Sequence, residues 1–402
     1  MRRAASDAAA APTTSITWSF WGDPWEVEIN RRVARAFEAE NPTIRVDLLH
    51  QPWDTYFTWL HDQWKSGQAP DVMFIDNVRG YASEGRLAPL DAFIERDGFD
   101  LGDFYPRLLE LSRYQGSYFG LPRDNDTKVI FYNRTLFQDA GLEPPRRDWT
   151  WTDLRNLANR LNRRDGAGRP LVHGFAFEAN EWWQIWVWQN GGTVFDDPFE
   201  PRQVRLGEPA AVDALQFLAD LVHADRVTPP LEALMDSGAI FRLFREGRLA
   251  MAFGNHAQIP GLIEEPDLRW DIVGLPARRA QVNLAGGAAY TIAAGSSQKE
   301  AAWALVRFLE GPRGQALFNE SGLIVPARRS IREDNIFLRQ TNYDSQVFAD
   351  ETDRGRPNLN SPLSADAKRL SNVALLPLWR GEVSAQTAVE NLVPRLQQLL
   401  ER

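Results

Sequence analysis

The feature that most constrains the fold is the stretch from Leu121 to Leu142, where three kinds of local structure follow one another. A polar segment, Asp124 to Lys128, leads into the strand-forming run Val129 to Tyr132. Asn133 then suits the start of a helix and Gly141 its end. A strand that passes directly into a helix is typical of α/β proteins. We expect the chain to cross into a second lobe here.

The residues before this stretch alternate between strand and helix patterns. Strands are predicted over residues 15–21, 44–48 and 71–76, and helices over 24–40 and 54–65. This alternation favours a parallel sheet wrapped by helices.

The same mixture continues after the stretch. Helices are predicted over 134–140, 151–163 (starting at Thr150 or Thr152), 209–223, 299–309 and 384–401, and strands over 173–177, 249–253, 270–275 and 289–293. Residues 330–372 are polar and weakly periodic, which indicates irregular structure with a few short helices. The second lobe is therefore also expected to be α/β.

Length and composition exclude several classes of protein. A chain of 402 residues exceeds one ordinary core, so two lobes are expected. The net charge of −9 argues against a nucleic-acid partner. Cysteine is absent and the five His lack ligand spacing, so we expect no metal and no cofactor. The apolar stretches are shorter than the ~20 residues of a membrane span. Residues 1–14 are expected to be a flexible segment without an intact signal peptide or a lipid-bearing cysteine.

The segment Pro122 to Phe137, PRDNDTKVIFYNRTLF, resembles the signature of the family 1 extracellular solute-binding proteins of ABC transporters, the maltose-binding-protein-like carbohydrate group. The likeness extends over almost the whole chain. It includes WSFWGDP near the start, GQAPDVMFID at 67–76, FREGRLAMAFGN at 244–255, the Gly286-Gly287 pair, KEAAWALVRFL and GLIVPAR at 322–328. The order and spacing of these segments carry the resemblance.

The resemblance implies a two-lobed periplasmic-binding-protein fold, with each lobe a mostly parallel sheet wrapped by helices. Lobe 1 would comprise residues 15–123 and 284–326, and lobe 2 residues 124–283 and 327–402. Hinge crossings near 121–128, 276–288 and 324–328 would join the lobes, and the ligand would bind in the cleft between them.

The resemblance also implies a function. The protein would be a monomeric receptor outside the cytoplasm, not an enzyme. It would bind a mono- or oligosaccharide, close around it and deliver it to the permease subunits of an ABC transporter. Two alternatives stay open: a receptor for another solute such as a glycerol phosphate ester, and a glycoside hydrolase, which would need paired carboxylates.

A sugar offers C–H faces that pack on aromatic rings, and hydroxyls that bind carboxylates and amides. In lobe 1 the candidates follow two strands: Trp21 with Asp23, and Asp76 with Asn77. The alternative for both aspartates is helix capping.

At the first crossing the candidates are Asp124 and Asp126. The resemblance places a sugar-contacting acid six positions before Tyr132, which is Asp126. A salt bridge from Arg123 to one of these aspartates is the alternative. Gly286 and Gly287 would either let the backbone approach a bound hydroxyl or form a flexible crossing.

In lobe 2 the resemblance points to Glu178 at a strand end and to Trp182 and Trp183 at the start of the next helix, whereas Trp186 is expected in the core. Further candidates are Asn255, His256 and Trp379.

Overall fold

The computed structural model of the protein describes residues 14–333 and 343–401. These residues form two compact units. The first unit contains the described residues up to Asp103, together with Ser112–Arg123 and Ala288–Phe318. The second contains Phe104–Leu111, Asp124–Gly287 and the described residues from Asn319 onward. The predicted flexible segment 1–14 lies outside the described residues except for Thr14.

The described residues contain these strands: β1 Thr14–Trp21, β2 Ile44–Gln51, β3 Val72–Ile75, β4 Arg113–Tyr114, β5 Ser117–Tyr118, β6 Gly120–Pro122, β7 Val129–Asn133, β8 Arg163–Arg164, β9 Pro170–Val172, β10 Met251–Gly254, β11 Trp270–Val273, β12 Asn283–Ala285, β13 Ala289–Ile292 and β14 Gly355–Pro357.

They contain these helices: α1 Pro24–Glu40, α2 Trp53–Lys65, α3 Val78–Ser83, α4 Asp91–Asp97, α5 Pro106–Leu111, α6 Arg134–Asp139, α7 Trp151–Leu161, α8 Trp183–Gln189, α9 Pro209–His223, α10 Leu231–Leu234, α11 Ser237–Arg245, α12 Ile259–Ile263, α13 Lys299–Leu309, α14 Pro312–Glu320, α15 Arg329–Glu333, α16 Gln346–Thr352, α17 Ser364–Trp379 and α18 Ala385–Leu400. A short 3-10 turn covers His256–Gln258.

The sheet of the first unit has the order β2-β1-β3-β13-β6. β1 pairs with β2 and β3 in parallel, as the alternation of strands and helices predicts. β13 arrives from much later in the chain and pairs antiparallel with both β3 and β6. The sheet is therefore mixed.

The second unit departs further from the predicted parallel arrangement. Its three-stranded sheet has β7 in the centre, with β10 and β11 both antiparallel to it. Isolated parallel bridges at His173 and Ala176 place the predicted strand 173–177 beside residues 249–252. Strands that follow β7 by more than a hundred residues occupy both its edges, so local alternation does not set their direction.

The chain passes between the two units after Asp103, Leu111, Arg123, Gly287 and Phe318. The predicted lobes also had a boundary after residue 123, and they had 284–326 where the first unit has 288–318. Residues 104–111, expected in lobe 1, belong to the second unit. The Tyr105 amide donates to the Ala327 carbonyl at 3.2 Å, which ties this segment to residues of that unit.

Local sequence signals explain where some of the helices start. The Asn133 side chain accepts from the Leu136 amide and starts α6, and Thr150 with Asp153 forms a capping box for α7. The long helix α17 was not predicted, because residues 330–372 lack a clear period and Pro377 lies inside the helix. Part of that region, 334–342, lies outside the described residues.

Candidate functional site

Lys128 organises a polar cluster in the second unit. Its ammonium donates to both carboxylate oxygens of Asp126, at 3.0 and 2.9 Å, and lies 4.0 Å from the ring centre of Trp182. The Lys128 side chain is 3% exposed and that of Asp126 is 17% exposed. The cation is therefore enclosed, while the carboxylate and the half-buried indole are accessible from outside.

Asp126 also receives a hydrogen bond from the side-chain amide of Asn255. Burial alone would raise the pKa of Asp126, but Lys128, His256 and Asn255 together outweigh it and hold the pKa below its ordinary value. Asp126 is thus ionised at neutral pH. A carboxylate offers about four acceptor positions, and the described residues donate to three of them. One position is left for a hydroxyl donor.

Glu178 lies close to the same cluster and is half-buried. Burial raises the pKa of Glu178 to about 7, the charges of Glu181 and Asp126 add to this, and Lys128 opposes it. The two carboxyl groups therefore differ near neutral pH, because Asp126 is an acceptor throughout and Glu178 changes between donor and acceptor.

Trp182 and Trp183 have different surroundings, although both were predicted to face the ligand. Trp182 precedes α8 with φ of 63°, a left-handed conformation that is strained for a bulky side chain. Trp183 is 2% exposed and packs in the hydrophobic core of the second unit, together with Trp186, as predicted for Trp186. The helix begins one residue later than expected, at Trp183, and the Trp183 side chain lies in the core.

Two further candidates of the second unit are buried. Trp379, expected to stack on a ligand, is in the core with an edge contact to Phe177, ring centres 5.9 Å apart. His256 is buried, and its Nδ1 contacts the carbonyl of Leu323. The Trp379 and His256 side chains therefore both contact residues of their own unit in this structure.

The Gly286-Gly287 pair lies against the segment that carries Asp124 and Asp126. The Asp126 amide donates to the Gly286 carbonyl at 2.8 Å. Gly287 has φ of 147°, and a Cβ atom there would lie 2.3 Å from the Asp124 carbonyl oxygen. The close backbone approach thus explains the second glycine. Asp124 itself is buried beside Pro326.

In the first unit, Trp21 lies at the end of β1 within an aromatic group. Its ring stacks on Phe74, with ring centres 4.3 Å apart, and meets Trp53, Tyr56 and Phe57 at 5.1 to 5.3 Å. Trp53 is 39% exposed, which is unusual for so large an apolar side chain. This group offers an accessible aromatic surface.

The polar candidates of the first unit lie where β1 and β3 lead into the helices that follow them. Asp23 is exposed at the N-cap position of α1, without a capping hydrogen bond from its side chain. Asp76 is exposed, and its charge adds to burial in raising the pKa of Tyr81. Asn77 is the residue that caps α3, because its Oδ1 accepts from the Gly80 amide at 3.1 Å. Helix capping was the alternative for Asp23 and Asp76, and the structure shows a capping hydrogen bond at Asn77.

The predicted alternative for Arg123 was a salt bridge to Asp124 or Asp126. The structure shows Arg123 paired with Glu26 at 2.6 Å and placed over the Phe74 ring at 3.9 Å. Asp126 takes Lys128 as its partner.

Lys128 is the residue that sequence reasoning missed, since it was treated only as the end of the polar segment before the strand-forming run. A usable signal was present: Asp126 and Lys128 carry opposite charges only two residues apart in the sequence, close enough for their side chains to meet.

Two kinds of feature are absent from the residues that the structure describes. None of their helices is long and apolar enough to cross a membrane. Within the same residues, no group of three or more His, Cys, Asp or Glu side chains is arranged to hold a metal ion.

Two α/β units and an accessible carboxylate beside an indole suit reversible binding of a small polar solute. The chain belongs to the bacterial extracellular solute-binding protein family, whose model matches residues 23–316. Members of this family are receptors that bind small molecules for ABC transporters and act outside the cytoplasm. The predicted family is therefore confirmed.

Individual relatives agree with this assignment. A protein of Brucella abortus (strain 2308) described as a binding protein is 24% identical over 349 residues, which are 85% of this chain and 82% of that protein. The substrate-binding protein Lmo0181 from Listeria monocytogenes, in complex with cycloalternan, has a TM-score of 0.89 and 23% identity, covering 97% of this chain and 99% of that one. UgpB from Mycobacterium tuberculosis, in complex with glycerophosphocholine, has a TM-score of 0.82 and 22% identity, covering 98% and 99%. These likenesses confirm the predicted two-lobed, maltose-binding-protein-like fold.

Proposed function

We propose that this protein is the receptor of an ABC importer for a neutral mono- or oligosaccharide, recognised at the cluster around Lys128. The observation that carries the proposal is the pairing of an accessible carboxylate, Asp126, with an accessible indole, Trp182, on one buried ammonium. A sugar requires both groups, since its hydroxyls donate to the carboxylate while its C–H face packs on an aromatic ring.

The strained backbone of Trp182 supports this assignment. A tryptophan with φ of 63° costs free energy, so the surrounding structure must hold it there. Strain of this kind concentrates at ligand sites. Here it leaves Trp182 half-buried beside Lys128 while the next residue, Trp183, enters the core.

The charges of the cluster favour a neutral sugar over a phosphate ester. Lys128 is matched by Asp126, and Lys368 by Glu181. Glu178 adds a negative charge above about pH 7. A phosphate needs an excess of cationic or amide donors, whereas the balance here is neutral to negative. The Listeria relative bound to cycloalternan is therefore the closer guide to the solute, and UgpB with glycerophosphocholine represents the alternative.

For the first unit we propose the aromatic group around Trp21, together with Asp76, as the second contact of the sugar. A solute that contacts both units favours a closed state, because it binds that state more tightly than the open one. This gives the hinge closure that a permease could recognise. We propose that the receptor works as a monomer outside the cytoplasm.

A thermal-shift screen tests the proposal. The purified protein is heated with a panel of neutral mono- and oligosaccharides, and separately with glycerol 3-phosphate and glycerophosphocholine. A solute that binds the folded form raises the melting temperature in proportion to its concentration over Kd. We expect a neutral sugar to give the largest rise. A rise with the phosphate esters alone would replace the sugar by the alternative solute class.

A further inference from the structure

Asn283, the first residue of β12, makes four hydrogen bonds with its side-chain amide. Its Oδ1 accepts from the backbone N–H of Lys128 at 3.0 Å and of Leu284 at 2.7 Å. Its Nδ2 donates to the Lys128 carbonyl at 2.8 Å and to a carboxylate oxygen of Glu351 at 2.7 Å. An asparagine amide has two donors and one oxygen with two lone pairs, so every position is used. The orientation is also determined, because a flipped amide would set N–H against N–H at Lys128.

Glu351, in the last turn of α16, fixes the other side of this amide. It is buried, and it contacts Arg354 as well as Asn283. Burial raises the pKa of Glu351, while the hydrogen bond from Asn283 and the charge of Arg354 act against that rise. Burying a carboxylate costs free energy unless it has hydrogen-bonding or ionic partners. One partner of Glu351 is Asn283, which also bonds the Lys128 backbone.

The next residue of α16 provides a second link to the same segment. The Asn125 side chain donates to Thr352 at 3.0 Å and to Thr127 at 2.6 Å. The end of α16 therefore holds the 124–128 segment at two points. Thr352 contacts Asn125 directly, and Glu351 reaches the Lys128 backbone through Asn283.

This arrangement matters for the Lys128 cluster because of the length of a lysine side chain. Four methylene groups separate the ammonium from the backbone, and a free lysine samples many rotamers. Reaching Asp126 and Trp182 at once requires the backbone to be fixed at one place. The Asn283 side chain bonds both the N–H and the carbonyl of Lys128. These two hydrogen bonds are separate from the strand pairing of β12, which is with β14.

We infer that Asn283, held by Glu351, is a positioning residue for solute recognition: it fixes the Lys128 backbone so that the ammonium contacts Asp126 and Trp182 together. The inference rests on the proposed function for its consequence, solute affinity. Its structural part, the placement of the ammonium against the indole, can be measured without any solute.

The test uses the full chain labelled with 5-fluorotryptophan and observed by 19F NMR. The resonance of Trp182 is identified by its loss in Trp182→Phe. We expect Asn283→Ala to shift this resonance by more than its linewidth, because the ammonium leaves the ring. The matched control is Asn190→Ala. Asn190 is also buried in the second unit, and its amide donates to the Ala210 carbonyl at 2.7 Å. This control should leave the Trp182 resonance in place.

A second pair of variants covers the case in which Asn283→Ala does not fold. Glu351→Gln keeps an oxygen that accepts from Asn283, whereas Glu351→Leu removes it. We expect the Trp182 resonance to shift in Glu351→Leu and to stay near its original position in Glu351→Gln. An unshifted resonance in Asn283→Ala, or equal shifts in both Glu351 variants, would overturn the inference.

Calorimetric titration with the sugar found by the thermal-shift screen then separates the two proposals. We expect Asn283→Ala to weaken binding about tenfold, as the loss of one charged contact does, with Asn190→Ala unchanged. If the resonance shifts but no solute binds the unmodified protein, the positioning role stands and the proposed function fails. If the unmodified protein binds sugar and Asn283→Ala binds it equally well, the role in recognition is refuted and the proposed function stands.

Discussion

Each of the two units contains a cluster made of a cation, a carboxylate and an aromatic ring, and the two cations, Arg123 and Lys128, are close together in the sequence. In the first unit Arg123 pairs with Glu26 at 2.6 Å and lies 3.9 Å from the centre of the Phe74 ring. Both charged side chains are almost fully buried, at 5% and 6% exposure. All members of this cluster are shielded from solvent.

In the second unit Lys128 pairs with Asp126 at 2.9 Å and lies 4.0 Å from the centre of the Trp182 ring. The cation is buried just as deeply, but the carboxylate and the ring are accessible. The difference in exposure separates a cluster suited to stability from one suited to recognition.

The largest effect is expected from breaking the first cluster. Arg123→Met leaves the buried Glu26 without this partner, and removing one member of a buried ion pair costs about 3–5 kcal/mol. Urea unfolding measures the loss. Arg205→Met is the control, since Arg205 pairs with Glu208 at the same 2.6 Å but both are more than 40% exposed. The control should lose less than about 1 kcal/mol. Equal losses would contradict the structural role of Arg123.

The segment that lies along both clusters gives the next test. The Arg123 amide donates to the Ala288 carbonyl, and the Asp126 amide donates to that of Gly286. Gly287→Ala forces a Cβ against the Asp124 carbonyl at a positive φ, so we expect a loss of about 2 kcal/mol or more in urea unfolding. Gly295→Ala, whose added Cβ meets no atom within 4 Å, is the control and should change stability little. A Gly287→Ala protein as stable as this control would refute the close approach.

Removing the charge of Asp126 probes the second cluster directly. Asp126→Asn should weaken sugar binding by about 1.5–3 kcal/mol, the value of a charged hydrogen bond. Asp225→Asn is a close match, because Asp225 is an ion-paired aspartate of the same unit with 13% exposure. Calorimetric titration should show normal affinity for this control. Full affinity in Asp126→Asn would remove Asp126 from the site.

The smallest effect concerns Glu178 and pH. Its pKa is raised from 4.5 to about 7, so between these values the folded protein binds more protons than the unfolded chain. Stability therefore falls as pH rises through this window. Relative to Glu178→Gln, the unmodified protein should lose about 1–3 kcal/mol between about pH 5 and pH 8. Parallel stability curves for the two proteins would show that Glu178 titrates normally.

Asp126 supplies the contrast within the same cluster. Its pKa is lowered, so its contribution to stability is present above its ordinary pKa and is lost as pH falls through the folded-state value. The difference in stability between Asp126→Asn and the unmodified protein should therefore disappear only at a pH below the ordinary pKa of an aspartate, which is lower than the range in which Glu178 titrates.

The sequence predicted the parts of the fold that local signals determine. The bounds of α1, α9 and α13 match the predicted helices, and Asn133 caps α6 as expected. Strand direction in the second unit could not be predicted in this way, because β7 pairs with strands from distant parts of the chain.

The same limit applies to the site. Asp126, Trp182 and Asn255 were named separately, and the structure brings them together through Lys128. Trp183 was expected to face the ligand beside Trp182, but it lies in the core, directly after the left-handed Trp182. A left-handed tryptophan leaves no periodic signal in the sequence, and the contact of Lys128 with Trp182 joins residues that are far apart along the chain.

A crystal structure with the sugar that gives the largest thermal shift tests the central claim most directly. We predict that a sugar hydroxyl lies within hydrogen-bonding distance of the Asp126 carboxylate while ring carbons of the sugar contact the Trp182 indole. A sugar bound with neither residue in contact would contradict the account.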